Sequence, residues 1–252
     1  MCGRYASSRR PEDLVEEFEI DKVEVKEALQ PDYNVAPTKQ VYAVVERDAH
    51  AEEAGERQLR TLRWGLVPFW AKNPGIGSRL INARMETVHE KPAYRRAFAS
   101  RRCLLPADGY YEWYPTERRT KAGKPLKQPF FVRPADGSVM AMAGLYEIWR
   151  DPTRDEEDPQ RFLWTCTVLT TTAEDSVGHI HDRMPLLVEP DRYAAWLDPA
   201  GSDVDRLKRL LVPAAPGRLE AFPVGTEVNN VRNNGPELVE PLTTEPAAGP
   251  TA

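Results

Sequence analysis

Seven stretches of this chain carry the β-branched and aromatic content of strands, and no regular alternation with helices separates them. They are residues 40–47 (QVYAVVER), 59–67 (LRTLRWGLV), 101–107 (RRCLLPA), 128–133 (QPFFVR), 139–149 (VMAMAGLYEIW), 162–171 (FLWTCTVLTT) and 218–224 (RLEAFPV). Helical spacing is confined to short pieces at 11–20, 92–99, 190–197 and 203–211. Pro11 suits a first turn, and Leu14 and Phe18 recur at helical distance. A parallel sheet needs long crossovers between its strands, and the chain has neither that rhythm nor a G-x-G-x-x-G loop. The pattern predicts an α+β protein with a largely antiparallel sheet or barrel core.

A chain of 252 residues with 41% hydrophobic content can bury one substantial core or two small ones. Residues 48–57, 115–127 and 150–160 read as solvated loops inside one domain, because strand patterns resume on both sides of each. The expected domain is 2–240, followed by a Pro-rich disordered tail at 241–252. The start shows no basic segment leading into an apolar run, and no stretch is apolar enough to span a bilayer. Three well-separated cysteines (Cys2, Cys103 and Cys166) exclude a disulfide framework. A reducing cytoplasm is the expected compartment.

Net charge is −5, which argues against a generic nucleic-acid binder, but the charge is unevenly placed. Residues 61–130 hold 14 Lys and Arg against 5 Asp and Glu, and the remainder holds 20 against 34. A basic segment on an acidic protein is able to face a polyanion; ordinary scatter and a solvated basic loop at 117–127 explain it as well.

Several polar residues stand where the surrounding pattern calls for apolar ones. Asn34 lies in YNVAPT, Asn82 and Arg84 in LINARMET, Glu112 in ADGYYEWY, and two histidines, an Asp and an Arg in HIHDRMP. A carboxyl between Tyr111 and Trp113 would be partly desolvated, which raises its pKa and suits a general acid or base; a solvent-facing strand residue is the alternative. The H-x-H spacing of His179 and His181 raises zinc, but two ligands without a matching second pair are a weak metal signal. Cys2, directly behind Met1, is either a small core residue or, once Met1 is removed, a residue with both a free α-amine and a thiol.

Taken together, MCGRYA, YNVAPT, RWGLVPFWA, INARMET, CLLPADGYYEW, AGLYE and HDRMP resemble, in content and order, the SOS response-associated peptidase (SRAP) family. The resemblance runs from Cys2 to about residue 240. It implies a mainly antiparallel distorted β-barrel with flanking short helices, and shielding of abasic sites in single-stranded DNA. It also implies Cys2 as nucleophile after loss of Met1, with Asn82, Glu112 and His181 as its catalytic partners. DNA contacts would fall on Arg4, Arg84 and Arg183, with aromatic wedges at Trp70 and Trp113, and Asn34 is assigned to the pocket. Phe69 stands where some relatives have a second tryptophan. No metal and no cofactor is implied, and a monomer acting on DNA without a membrane is expected.

The chemistry of such a site follows from the aminothiol. An α-amine has a pKa of about 7.7–8 and is neutral far more often at pH 7 than a lysine at about 10.4. It condenses with the aldehyde of a ring-opened abasic site to a Schiff base, and the thiol closes that to a five-membered thiazolidine. Glu112 is expected to move protons at the amine, His181 to protonate the sugar-ring oxygen, and Asn82 to orient the sugar or the new N-terminus. Two other classes stay open: a thiol peptidase of the N-terminal-nucleophile type limited to removing Met1, and a non-covalent single-strand binder with a structural Cys2.

Overall fold

The computed structural model describes residues 2–47, 55–173, 175–211, 215 and 217–242. The chain runs β1 (Tyr5–Ser7), α1 (Pro11–Glu17), β2 (Lys22–Glu24), β3 (Asp32–Val35), β4 (Gln40–Arg47), β5 (Glu56–Trp64), β6 (Asn82–Arg84), α2 (Arg95–Ser100) and β7 (Arg102–Ala107). It continues with β8 (Gly109–Arg119), β9 (Pro125–Pro134), β10 (Met140–Arg150), β11 (Phe162–Thr172), α3 (Asp175–Gly178), β12 (Arg183–Pro185), α4 (Tyr193–Leu197), α5 (Val204–Leu210) and β13 (Leu219–Pro223).

Five strands close on themselves. Antiparallel pairs link β5 to β4, β4 to β7, β7 to β10 and β10 to β11. A short parallel pair, Thr165 with Arg63 and Cys166 with Trp64, joins β11 back to β5. The barrel is therefore mixed, though most pairings are antiparallel as the sequence leads one to expect. β6 and β12 extend it on β11, and β2 extends it on β5. A second sheet runs in the order β13, β9, β8, β1, β3.

Alternation along the barrel strands divides the core in two. Tyr42, Val44, Leu59, Leu104, Ala143 and Leu169 pack under α1, α2, α4 and α5. Their neighbours Val41, Ala43, Cys103, Met142 and Val168 face the other way, in one apolar cluster with Cys2, Tyr5, Tyr110 and Val132 of the second sheet and its leader. Cys2 is thus anchored by the packing between the barrel and the second sheet. Arg102 pins the helices: its buried guanidinium donates to the carbonyls of Trp196 (2.7 Å), Phe98 (2.8 Å) and Ala99 (2.7 Å), and to that of Asp198. Burial lowers its pKa to about 10.

The turn after β5 places the next functional strand. Gly65 has φ +123°, and a Cβ there would lie 2.5 Å from the carbonyl oxygen of Gly77. Only glycine allows the 3₁₀ turn Pro74–Arg79 to approach so closely. That approach leads β6 to lie parallel to β11, with Asn82 beside Val168 and Arg84 beside Thr170.

Three expectations need correction. Residues 115–127 are not a loop but the outer half of the β8–β9 hairpin, whose register shifts between Pro115 and Arg119. A β-rich pattern is hidden there because both strands leave the core and carry charge on both faces. Of the interruption at 48–57, residues 48–54 lie outside the described residues, while Glu56 and Arg57 already belong to β5. Of the tail expected at 241–252, the first two residues are tied to the fold: Pro241 bridges Val224, and Leu242 N–H donates to Pro223 O at 2.9 Å. Residues 243–252 lie outside the described part. The stretch 150–160 is an exposed turn region, as expected, and ends in the 3₁₀ turn Pro159–Arg161.

Candidate functional site

Four residues distant in sequence meet at the start of the chain. Asn82 projects from β6, and its Nδ2 donates to the backbone carbonyl of Cys2 at 2.8 Å. Tyr94, just before α2, donates its hydroxyl to the carbonyl of Asn82 at 3.1 Å. Burial lifts the pKa of that hydroxyl to about 12, so it remains a donor at all ordinary pH. The Oδ1 of Asn82 is buried without a partner among the described residues.

Cys2 is fully buried. Burial pushes its thiol pKa upward, and the nearby Glu112 carboxylate pushes it further, while the Arg4 backbone N–H pulls the other way. The group is a thiol at neutral pH and needs a base to become a nucleophile. Glu112 is the residue in position to be that base. It sits on β8 opposite Phe130, 5% exposed. Burial raises its pKa to about 7; Asp182 adds to the rise and Lys127 opposes it. Desolvation is the dominant cause, but not through Tyr111 and Trp113. Those rings alternate to the other face of β8, beside Phe131 and Val228, while Glu112 shares its face with Tyr110 of the Cys2 cluster.

His181 lies between α3 and β12, about one-third exposed. Burial lowers its pKa, with Asp182 pulling it up and Lys127 down. Its Nδ1 has two neighbours, the Arg183 N–H at 3.0 Å and Asp182 Oδ1 at 2.9 Å. An Nδ1 with a lone pair accepts from the N–H; an Nδ1 with a proton, in the neutral Nδ1–H tautomer or the imidazolium, donates to the carboxylate instead. The Asp182 carboxylate is 85% exposed and solvated, so the N–H contact decides the tautomer. With the pKa lowered, we assign the neutral form, with its proton on Nε2. His181 is then a neutral hydrogen-bond donor through Nε2–H. His179 is exposed, and among the described residues no group of three or more His, Cys, Asp or Glu could hold a metal ion.

The three arginines are placed differently. Arg84 is exposed on β6, two residues from Asn82 and on the same face of the strand. Arg183, 9% exposed, forms a bidentate pair with Glu86 (2.6 and 3.0 Å) and donates to the carbonyl and hydroxyl of Thr170 (2.7 and 3.2 Å). Contact with a phosphate requires that anion to displace the half-exposed Glu86. Arg4 donates to Asn34 Oδ1 at 2.6 Å and Val228 O at 3.0 Å, with its guanidinium 5.7 Å from the ring centroid of Trp113.

Asn34 is buried, and its amide N–H₂ faces the carbonyls of Val228 (3.3 Å), Asn230 (3.0 Å) and Asn233 (2.9 Å). It braces residues 228–233 against β3. Trp113 Nε1 donates to Asn229 Oδ1 at 2.7 Å on that same segment. Trp70 is 49% and Phe69 51% exposed on the loop after β5, and the Arg96 guanidinium stacks 4.4 Å from the centroid of Phe69. Both rings are open to a planar ligand.

Sequence reading passed over Glu86, Thr170 and Tyr94, and gave no role to Asp182 or Lys127. Glu86 and Asp182 stand inside the quoted motifs, as the acid of NARMET and the acid of HDRMP, so their signal was present. Thr170 reaches the site only through strand pairing at long range, which no local pattern displays, and Lys127 reaches it through the β8–β9 hairpin, which the reading of 115–127 as a loop concealed.

A buried thiol beside the start of the chain, held through its backbone by Asn82 and within electrostatic reach of a buried carboxyl, between a closed mixed barrel and a second sheet, defines a protein built around a near-terminal cysteine. The chain belongs to the SOS response associated peptidase (SRAP) family, whose description matches residues 1–231. It is similar to the abasic site processing protein YoqW of Bacillus subtilis, 38% identical over 95% of this chain and 99% of that one. It is similar also to the abasic site processing protein YedK of Escherichia coli, 32% identical over 96% and 100% of the two chains. Among solved structures, a Bacteroides thetaiotaomicron protein shares the fold with a TM-score of 0.77 at 22% identity, covering 96% of this chain and all of that one. Among the described residues no helix is long and apolar enough to cross a membrane.

Proposed function

We propose that this chain captures abasic sites in single-stranded DNA and shields them through a thiazolidine bond to Cys2, exposed as the N-terminal residue by loss of Met1. The relatives named as abasic site processing proteins support the substrate class. The observation that carries the chemistry is local: Asn82 holds the Cys2 carbonyl at 2.8 Å, and the Glu112 carboxyl lies near enough to shift the Cys2 thiol.

The α-amine of Cys2 adds to the aldehyde carbon of the opened sugar. The carbinolamine loses water to give an imine. The thiol then adds across the C=N bond; sulfur bonds to carbon and the thiol proton ends on nitrogen. One water leaves overall, and no oxidant is required. Glu112, at about 7, is half ionised near neutrality. It can therefore accept a proton from amine or thiol and return one to the departing hydroxyl. The Nε2–H of His181 donates to the sugar-ring oxygen and favours the open aldehyde. The unpartnered Oδ1 of Asn82 accepts from a sugar hydroxyl. Arg84 meets a phosphate, and Trp70 and Trp113 offer stacking surfaces of about 1–3 kcal/mol per base, indifferent to sequence. Closure of the ring removes the imine that drives β-elimination, which is why the product protects the strand. The same thiol and carboxyl serve the autoproteolytic removal of Met1.

The test uses processed protein, its loss of Met1 verified by intact mass, incubated with a single-stranded oligonucleotide carrying one abasic site. Denaturing gels should show a heat-stable adduct for the native chain and none for Cys2→Ala. That variant still has an α-amine, so borohydride should trap its Schiff base. A heat-stable Cys2→Ala adduct formed without reductant defeats the thiazolidine step.

A further inference from the structure

The β8–β9 hairpin runs beyond the second sheet, and its outer part has no role in the chemistry above. Residues 117–127 carry Arg118, Arg119, Lys121, Lys124 and Lys127 against the single acid Glu117, and all of them are exposed. In a chain of net charge −5 this is a concentrated positive surface. Some exposed arginines elsewhere are neutralised: Arg133 pairs with Glu220, Arg150 with Glu156 and Arg154 with Asp158. Among the described residues the five hairpin cations have no such pairing. Their one side-chain hydrogen bond among the described residues runs from Arg119 to the carbonyl of Gly123, at 2.9 Å, and shapes the turn.

The hairpin is also built, not loose. Arg119 pairs with Pro125, Thr120 N–H donates to Lys124 O at 2.8 Å, and Gly123 takes φ +76° to close the turn. It is continuous with the site: β8 carries Glu112 at its inner end and Arg118 and Arg119 at its outer end. Lys127, at the root, already lowers the pKa of Glu112 and His181. Seven residues of strand from Glu112 to Arg119 reach up to about 24 Å. Along a duplex strand that is the length of about seven nucleotides at 3.4 Å per step.

We propose that this hairpin is a DNA arm: Arg118, Arg119, Lys121 and Lys124 hold the phosphodiester backbone of the captured strand beyond the abasic nucleotide. The inference rests on the reading of the chain as an abasic-site binder and extends it. The arm binds charge and not bases, because it presents cations without aromatic partners. Its contribution is to hold DNA that extends past the site; a fragment confined to the site does not reach it.

The experiment compares the native chain with a variant carrying Arg118→Gln, Arg119→Gln, Lys121→Gln and Lys124→Gln. A second variant, Arg206→Gln with Arg209→Gln on α5, removes two positive charges away from the arm and gives the effect of net charge per charge lost, against which the four of the arm are scaled. Non-covalent binding is followed by anisotropy with undamaged 25-nucleotide strands, single and annealed to leave a duplex on one flank, over a range of salt. Each lost single-strand phosphate contact flattens the log–log salt slope by about 0.7, and each duplex contact by about 0.9. The arm variant should lose at least two contacts on one of these DNAs, and which DNA suffers more tells whether single or double strand lies on the arm. Adduct formation with an abasic pentanucleotide should be unchanged. Changes in slope and affinity equal, per charge lost, to those of the α5 variant on both long DNAs would overturn the arm. Failure of the native chain to form any adduct would instead overturn the abasic-site reading, and the undamaged-strand binding would still decide the arm.

Discussion

The Asn82 side chain joins β6 to the start of the chain by donating to the Cys2 carbonyl at 2.8 Å, and its own carbonyl is held by Tyr94 at 3.1 Å. Cys2 is thereby positioned from a strand eighty residues away in sequence. Asn82→Ala removes the grip and the free Oδ1 acceptor together. Losing hydrogen bonds of about 1–3 kcal/mol slows adduct formation by roughly 5- to 150-fold in single turnover. The Tyr94 bond runs to backbone and survives, so the melting temperature should move little. A variant that reacts at the native rate removes Asn82 from the site.

Glu112 makes a pH prediction with a definite sign. Its pKa rises from 4.5 unfolded to about 7 folded, so the folded state favours the protonated carboxyl. Its share of stability is complete below about pH 4.5 and is lost as pH climbs through 7. Ionisation in place costs the fold on the order of 3 kcal/mol. Glu112→Gln therefore stabilises the protein relative to the native chain at pH 8, and the difference shrinks toward pH 5. In the same variant adduct formation slows, and the part of its pH profile with an apparent pKa near 7 disappears, leaving that of the α-amine. Denaturant melts at several pH values, beside single-turnover rates, check both halves. A native chain whose stability relative to the variant ignores pH contradicts the burial assignment.

The sequence carried the strands and the site more clearly than it carried their arrangement. β4, β7, β10 and β11 lie within a residue of their expected limits because each alternates toward a core on both faces. β1, β6 and β12 are three residues each, too short for periodicity to register, yet β6 and β12 deliver Asn82, Arg84 and Arg183. The closing pair of Thr165 with Arg63 joins segments a hundred residues apart, and no local pattern specifies it. Cys2 was legible because it stands directly behind Met1, His181 because HIHDRMP gathers four polar groups in seven residues, and Asn82 and Glu112 because each is polar among apolar or aromatic neighbours. Asn34 stood out for the same reason, but its burial against residues 228–233 makes it a brace and shows that an anomalous polar residue marks either chemistry or a buried hydrogen-bond network.

Arg183 and Glu86 set up a competition. Their bidentate pair, at 2.6 and 3.0 Å, holds the guanidinium beside Thr170, and a DNA phosphate would have to take the place of the carboxylate. The Arg183 cation holds the Glu86 carboxyl below its usual pKa, so the competitor is ionised throughout the physiological range. Glu86→Gln should tighten non-covalent binding of undamaged single strands several-fold at low salt, with a salt slope steeper by up to about 0.7 as one phosphate contact is gained. Anisotropy titrations at two or more salt concentrations read both quantities. Weaker binding would mean that Glu86 serves only to position Arg183 and that the arginine never leaves it.

His181 is separable from Glu112 by the choice of aldehyde. Burial keeps its imidazole neutral, and the Arg183 N–H at 3.0 Å occupies Nδ1, so Nε2–H is the face it offers to substrate. A donor to the sugar-ring oxygen matters for the natural abasic site, which is mostly ring-closed, and is idle with a small free aldehyde that has no ring to open. His181→Ala should therefore slow capture of the abasic strand by about 10²-fold, at the lower end of proton-transfer catalysis, and leave reaction with the small aldehyde nearly unchanged. Glu112→Gln should slow both, since amine and thiol need a base whatever the aldehyde. Because the imidazole acts neutral, the His181-dependent part of the rate should persist undiminished from pH 7 to pH 8; an imidazolium acid would lose most of it over that unit. Single-turnover adduct formation with both aldehydes at the two pH values settles the matter. Equal slowing of His181→Ala with both aldehydes would move the residue from the sugar ring to Cys2 itself, as a group that orients the amine or the imine.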